Sequence, residues 1–356
     1  MSKSKKTTRK CSFQSLENRQ MMAGDMVAYT YNGDLYVHES PSSSQISQDN
    51  HVQISRSQAG TIKITGAKNA DGTTTLIGNG FNSNFSSFKT FNGNSIRDIY
   101  ITTGGGNDQV EMMPGGDYRL NNVTIDTSGP SPRDADQVFL DDTIFRKNLA
   151  VYTGGGDDLV DMQLIRTTGT MNIRTGAGAD NVIVKRSSIS GNFNRIDTFD
   201  YENEIDRDNV LLEDLFVNRL GVDTGGGDDT ITVRRHTANA ALPSFINIGS
   251  GAGHDTVTLQ GVNVDEVYAY LGAGRDLLDL SGVKTKAGVR VSADPETGAK
   301  EFDTVRRPGS VTPIDMNQLH SLSSGVDQLS YWSTPFIGTT SGKTGIGTIR
   351  TGSALR

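Results

Sequence analysis

Residues 222–233 read VDTGGGDDTITV: a strand-like run, three glycines, two aspartates and a second strand-like run. Taken alone, the stretch fits a phosphate cradle, a calcium loop or a plain corner. It does not stand alone. ITTGGGNDQVEM begins at Ile101, VYTGGGDDLVDM at Val151, IRTGAGADNVIV at Ile173, IGSGAGHDTVTL at Ile248 and AYLGAGRDLLDL at Ala269. A cassette that recurs in this way specifies architecture before it specifies chemistry.

The last aspartate of each cassette serves as a ruler mark: Asp108, Asp158, Asp180, Asp229, Asp255 and Asp276. Two of the gaps, 50 and 49 residues, are double, and RDADQVFL and IDRDNVLL fill them with Asp136 and Asp208. EFDTVRR adds Asp303, so that nine marks lie 21 to 28 residues apart. An alternating apolar run follows each mark (QVEMM, LVDM, NVIV, TITV, TVTL), and another precedes most of them (VTIDT, LAVYT, MNIRT, LGVDT, INIGS). Strict alternation over short segments means strands with one buried face.

A period of ~22 residues built from strand, tight turn, strand and looser return is that of a parallel β-helix. The expectation is an all-β chain: a single right-handed parallel β-helix, or solenoid, of roughly nine or more such coils with an N-terminal cap. Insertions such as GPSPRDA and DTFDYENEI are expected between the strand after one mark and the strand before the next. Charge gives an independent test of register. Stacking the coils by their marks puts Lys185, Glu213 and Arg234 in one column and Arg186, Asp214 and Arg235 in another, so opposite charges become neighbours.

Composition agrees with this reading. The 356 residues include 41 Gly and are 34% hydrophobic, which suits a narrow stack of Val, Ile and Leu. A net charge of −7 argues against a nucleic-acid binder. The single cysteine, Cys11, allows no internal disulfide, and no apolar run is long enough for a membrane-spanning helix. The chain divides into a basic tail at 1–26, N-terminal strands and cap at 27–100, the repeat body at 101–310, a C-terminal cap at 311–336 and a Gly/Ser/Thr-rich tail at 337–356. Within the cap, MVAYTYNGDLYVHES reads as a hairpin around Asn32-Gly33.

A phosphate loop needs a helix after its glycines, and strands follow here, so nucleotide binding is set aside. Two readings of the aspartates stay open. In the structural one, the glycines supply positive φ at a corner and each aspartate bonds backbone N–H groups of its own or the next turn. In the other, the turns resemble the calcium-binding β-roll (RTX-like) repeat G-G-x-G-x-D-x-U-x from its second glycine onward, at Gly225, Gly227, Asp229 and Ile231 and at the equivalent positions around Asp180 and Asp255. That resemblance implies calcium as cofactor, with Asp157, Asp158, Asp180, Asp228, Asp229, Asp255 and Asp276 as its ligands. A β-roll repeats every nine residues, however, and Thr224 stands in place of the first glycine. Asp228 is replaced by Asn107, Ala179, His254 or Arg275 in sister copies.

FQSLENRQMMAG, Phe13 to Gly24, resembles the LEPR-XLL segment near the N-terminus of planctomycete surface proteins. Leu16, Glu17 and Arg19 match, Met21 and Met22 replace the paired leucines, and Asn18 stands where proline is usual. The resemblance implies an exported or cell-surface protein. With the cassettes it implies a non-catalytic extracellular scaffold of structural, adhesive or matrix character, whose partners are surface polysaccharide or other cell-surface proteins. The alternative is a polysaccharide-binding or polysaccharide-cleaving β-helix. Arg234, Arg235 and His236 beside Asp214 are its local candidate cluster, and no catalytic residue is assigned.

Overall fold

The computed structural model describes residues 24–40, 48–79, 82–114, 116–199 and 206–293, and the backbone strands at 303–307 and 310–314. The basic tail, the LEPR-XLL-like segment up to residue 23, most of the expected C-terminal cap and the Gly/Ser/Thr-rich tail lie outside the described residues. Among the described residues there is no α-helix, and one 3-10 turn at Gly93–Ser95 interrupts the strands.

Two long sheets carry the coils. The strands before the marks form the upstream sheet, and those after the marks form the downstream sheet. A short third sheet of five strands joins the coils through Gly116–Asp117, Thr143–Phe145, Arg166–Thr167, Ser188–Ile189 and Phe216–Val217. Pairing along the body is parallel, and in the downstream sheet Val138, Val160, Val182 and Val210 stack directly on one another, while the pairing of Asn263–Gly272 with Lys284–Ala293 carries two register shifts. The fold is therefore the expected parallel β-solenoid, with marked coils from Asp108 to Asp276. The backbone register also sets Thr304 beside Leu277, which aligns Asp303 with Asp276.

Alternation builds the core. In Leu159–Gln163 the side chains of Val160 and Met162 are fully buried while their neighbours face out, and the same pattern recurs coil after coil. Each coil thus adds a layer of aliphatic side chains at the interstrand spacing of about 4.8 Å. Polar residues interrupt the aliphatic stack in places, among them the fully buried Asn194. Its side chain accepts from Met171 N at 2.9 Å and donates to Gly191 O and Arg219 O, so every polar atom has a partner.

The N-terminal region caps the first coil with antiparallel strands. Met26–Tyr31 pairs with Asp34–Glu39 through the Asn32-Gly33 turn, where φ is 51° and 87°, as the sequence predicts. His51–Arg56 pairs in the same way with Thr61–Gly66. Tyr29, Tyr36 and Tyr100 stack across neighbouring strands with centroids 5.5 and 5.2 Å apart.

One expectation is corrected. Residues 129–135 and 197–205 do not join the strand after one mark to the strand before the next. GPSPRDA follows Val123–Asp126 and precedes Asp136, so it replaces the glycine turn itself, while DTFDYENEI, of which 200–205 lie outside the described residues, begins at the last residue of strand Asn194–Asp197 and ends before Asp208. The insertion at 237–244 does lie on the expected connection, between Thr230–Arg234 and Phe245–Gly249. A second corner carries no glycine signal in most coils. Asp142, Leu164, Arg186, Asp214 and Arg235 adopt φ of 43° to 55° there, and among the described residues only Gly261 and Gly282 mark it by residue type.

Candidate functional site: the aspartate column

The eight marks from Asp108 to Asp276 are 0 to 3% exposed and share one hydrogen-bond pattern. Each carboxyl Oδ1 accepts the backbone N–H of the preceding mark: Asp108 N on Asp136, Asp136 N on Asp158, Asp158 N on Asp180 and Asp180 N on Asp208, at 2.8 to 2.9 Å. The series continues with Asp208 N on Asp229, Asp229 N on Asp255 and Asp255 N on Asp276, each at 2.9 Å. At its upper end Asn50 N donates to Asp108 at 2.7 Å, so Asn50 occupies the mark position of the capping coil. The sequence reading missed Asn50. Its signal was the run NHVQI, Asn50 to Ile54, which aligns with DNVIV, Asp180 to Val184, with no glycines before it.

The glycines make this approach possible. A Cβ on Gly251 would lie 1.4 Å from Gly225 O, and φ there is +85°. The coils touch backbone to backbone at the turn, so the aspartate of one can reach the N–H of the next.

The outer neighbours of the marks form a second ladder of opposite sense. Asp49 accepts from Asn107 N, Asn107 from Ala135 N, Asp157 from Ala179 N, Asp228 from His254 N and His254 Nδ1 from Arg275 N, at 2.7 to 3.0 Å. Inner side chains thus reach toward the preceding coil and outer ones toward the following coil. Asp228 also meets Arg207 at 2.9 Å. The His254 N–H, with Arg207, holds the Asp228 carboxyl below the ordinary carboxylate range.

Burial dominates the electrostatics of the inner column. It pushes Asp229 up to about 6, Asp158 and Asp255 to about 7, Asp108 to about 8, Asp136 to about 9 and Asp180 to about 10. The Oδ2 atoms of these six are sealed from solvent. Beside them lie the hydroxyls of Thr103, Thr127, Thr153, Thr175, Thr224 and Ser250, which oppose the burial effect. In the coil of Asp208, Thr198 donates to Oδ2 at 2.5 Å. In three others the hydroxyl points to the next coil instead: Thr153 to Thr175 O, Thr224 to Ser250 O and Ser250 to Leu271 O, at 3.1 to 3.4 Å. A hydroxyl whose proton is spent in that way bonds a carboxyl only if the carboxyl supplies the proton. This geometry and burial shift all three acids the same way, toward the protonated form, and Asp229 least.

Of the residues implied as calcium ligands, Asp158, Asp180, Asp229, Asp255 and Asp276 share the inner column, while Asp157 and Asp228 lie on the outer one. Every one of them accepts a backbone N–H. Calcium takes six to eight oxygens. Among the described residues no group of three or more His, Cys, Asp or Glu side chains is arranged to hold a metal ion.

The charge columns stack as expected, with Lys185 beside Glu213 and Glu213 beside Arg234. The ion pairs differ in detail, because Arg235 reaches both Asp214 and Glu213 at 2.6 Å. His236, expected beside them, is turned inward and fully buried, and that burial lowers its pKa to about 4. The cluster of Arg234, Arg235 and His236 therefore splits across the wall of the solenoid.

A different carboxylate pair, missed in the sequence, lies on the outer face of the upstream sheet. Asp197 and Asp223 are register neighbours on adjacent coils. Arg195 holds Asp197 at 2.6 Å. Burial, with Asp197 beside it, pushes Asp223 up to about 7.

Comparison with protein-family models, with curated proteins and with solved structures finds no match for the chain.

Proposed function

We propose that the chain is a non-catalytic solenoid scaffold at the cell surface or outside the cell, with a structural, adhesive or matrix role. The observation that supports it is how the repeated polar groups are used. The inner and outer ladders spend their aspartates on joining one coil to the next, and Arg235 is committed to Asp214 and Glu213. The motif that recurs along the chain thus builds a rod. The LEPR-XLL-like segment supports a surface location. Protease shaving of intact source cells tests it: release of the chain is expected, and recovery only from the cytosolic fraction overturns the reading.

Calcium is a subsidiary proposal for the same column, supported by the resemblance of its turns to β-roll repeats. A second reading, a polysaccharide-cleaving β-helix, is favoured by Asp197 and Asp223. Burial raises both carboxyls, Asp197 in spite of Arg195 and Asp223 up to about 7, and a pair of perturbed acids on one face is a candidate for acid–base work. Incubation with acidic and neutral polysaccharides discriminates. Turnover that is lost in Asp223→Asn and kept in Arg235→Ala would establish the second reading in place of the first.

A further inference from the structure

The insertion with Pro130 and Pro132 enters at the same edge as the glycine turns, and a trough lies between it and Phe199. The coils of Asp158 and Asp180 have short turns, Gly154–Asp158 and Gly176–Asp180, whose glycines and Ala177 form a floor. The coil before them carries the insertion with Pro130 and Pro132. The coil after them begins its insertion at Phe199, packed on Gly225. The cleft so formed has a volume of about 440 Å³, within the range of small-ligand sites. It spans two short coils, on the order of 10 Å along the rod.

Its chemistry is specific. Asp126, Tyr152 and Arg174 form one outward row on three successive coils, and all three line the cleft. Asp126 is already occupied, since it accepts Ser128 N at 3.1 Å and the Ser128 hydroxyl at 2.5 Å. Arg174 is not so committed. Its nearest anion, Asp197, lies at 3.7 Å from Nε, beyond hydrogen-bond length, and the side chain is 47% exposed. The cleft therefore offers a half-exposed guanidinium, two aromatic side chains in Tyr152 and Phe199, and backbone groups of glycine turns. Aromatic rings suit the apolar face of a pyranose, and the planar fork of Arg suits a carboxylate.

We propose that this cleft binds an anionic sugar unit of the uronic-acid type, with Arg174 on the carboxylate and Tyr152 and Phe199 as apolar walls. The inference does not depend on where the chain resides or on whether it cleaves a polymer, so it stands or falls apart from the scaffold reading.

Calorimetric titration of the full chain with trigalacturonic acid, and with neutral maltotriose of equal length, tests it. Trigalacturonic acid is expected to bind at least about tenfold more tightly than maltotriose, the scale of one charge-assisted contact. Arg174→Gln is expected to remove that preference and Arg174→Lys to restore part of it, because lysine keeps the charge and loses the fork. Tyr152→Leu is expected to weaken both sugars, and Arg235→Gln, at the other corner, to change neither. The melting temperature of each variant separates lost binding from lost folding. Absence of saturation with trigalacturonic acid up to about 10 mM, a range that reaches even weak ligands, overturns the proposal. So does equal affinity for the two sugars, or binding unaffected by Arg174→Gln in a folded variant.

Discussion

The backbone N–H of Asp158 donates to Oδ1 of Asp180 at 2.9 Å, one coil ahead and sealed from water. Two substitutions at position 180 separate acceptor from charge. Asp180→Asn keeps an acceptor and copies the neutral acid, so its stability at pH 7 should equal or exceed that of the parent. Asp180→Ala strands the Asp158 N–H and leaves a small void, and should cost about 2 to 3 kcal/mol in urea unfolding. A parent more stable at pH 7 than the Asn variant by a similar amount would show that the charged form is the native one.

Stability should depend on pH in a direction opposite to that of ordinary carboxylates. The inner carboxyls have folded-state pKa values raised above their unfolded value of 3.8, so the folded state holds the extra protons. Their contribution is fully present below about pH 4 and is lost as pH rises through the interval from about 6 to about 10. His236 works the other way. Its pKa is lowered to about 4, so its contribution is present above about pH 6.5 and is lost as pH falls through about 4. Thermal melting should show a midpoint higher at pH 5.5 than at pH 9. His236→Leu should leave the alkaline side unchanged and gain on the parent as pH falls from 6.5 to 4. A midpoint that rises from pH 5.5 to pH 9 would contradict the neutral-acid column.

Glycines at the two corners should respond differently to alanine. Gly251 has its neighbour's carbonyl 1.4 Å from where a Cβ would sit, whereas at Gly282 the nearest atom is 3.3 Å away, with φ of +75°. Gly251→Ala must push adjacent coils apart and should abolish cooperative unfolding or cost more than about 3 kcal/mol. Gly282→Ala pays only for its backbone conformation, about 1 kcal/mol. Parallel denaturant titrations of the two variants check the ranking.

Calcium competes with protons for the same carboxyls. If the cation enters the column, melting in calcium against EGTA should show a stabilisation that grows between pH 6 and pH 9, as the acids ionise, and that shrinks in Asp180→Asn. Equal midpoints in calcium and EGTA at pH 8 would remove the proposal.

Much of the fold was legible because its signals are periodic. Alternation fixed the strands, and the marks fixed the register well enough to place Lys185 beside Glu213 and Glu213 beside Arg234. What escaped was whatever breaks the period. The positive-φ corner at Leu164 and Arg186 is written in residues that rarely adopt it, so composition gives no warning. The insertions were placed on the wrong connection because length alone does not say on which side of a turn the extra residues lie. Asn50 lacks the glycines that announce its sisters, and Asp197 and Asp223 meet only through register. The aspartates were recognised as a set, but their direction was not legible. That inner carboxyls reach back while Asp157 and Asp228 reach forward depends on which side of the turn each Cβ leaves.

Identical rungs have a cost in addressing. Because each inner aspartate makes the same bond to the coil before it, a coil that docked one repeat out of place would find the same acceptor waiting, and the ladder alone would not reject the error. The irregular residues must then act as labels. Asn194 is satisfied only between Met171 and Arg219, the Pro130 insertion fits only above two short turns, and the charges of Glu213 and Asp214 match only their own neighbours. The departures from the repeat that made the sequence hard to parse are thus what tell each coil its place in the stack.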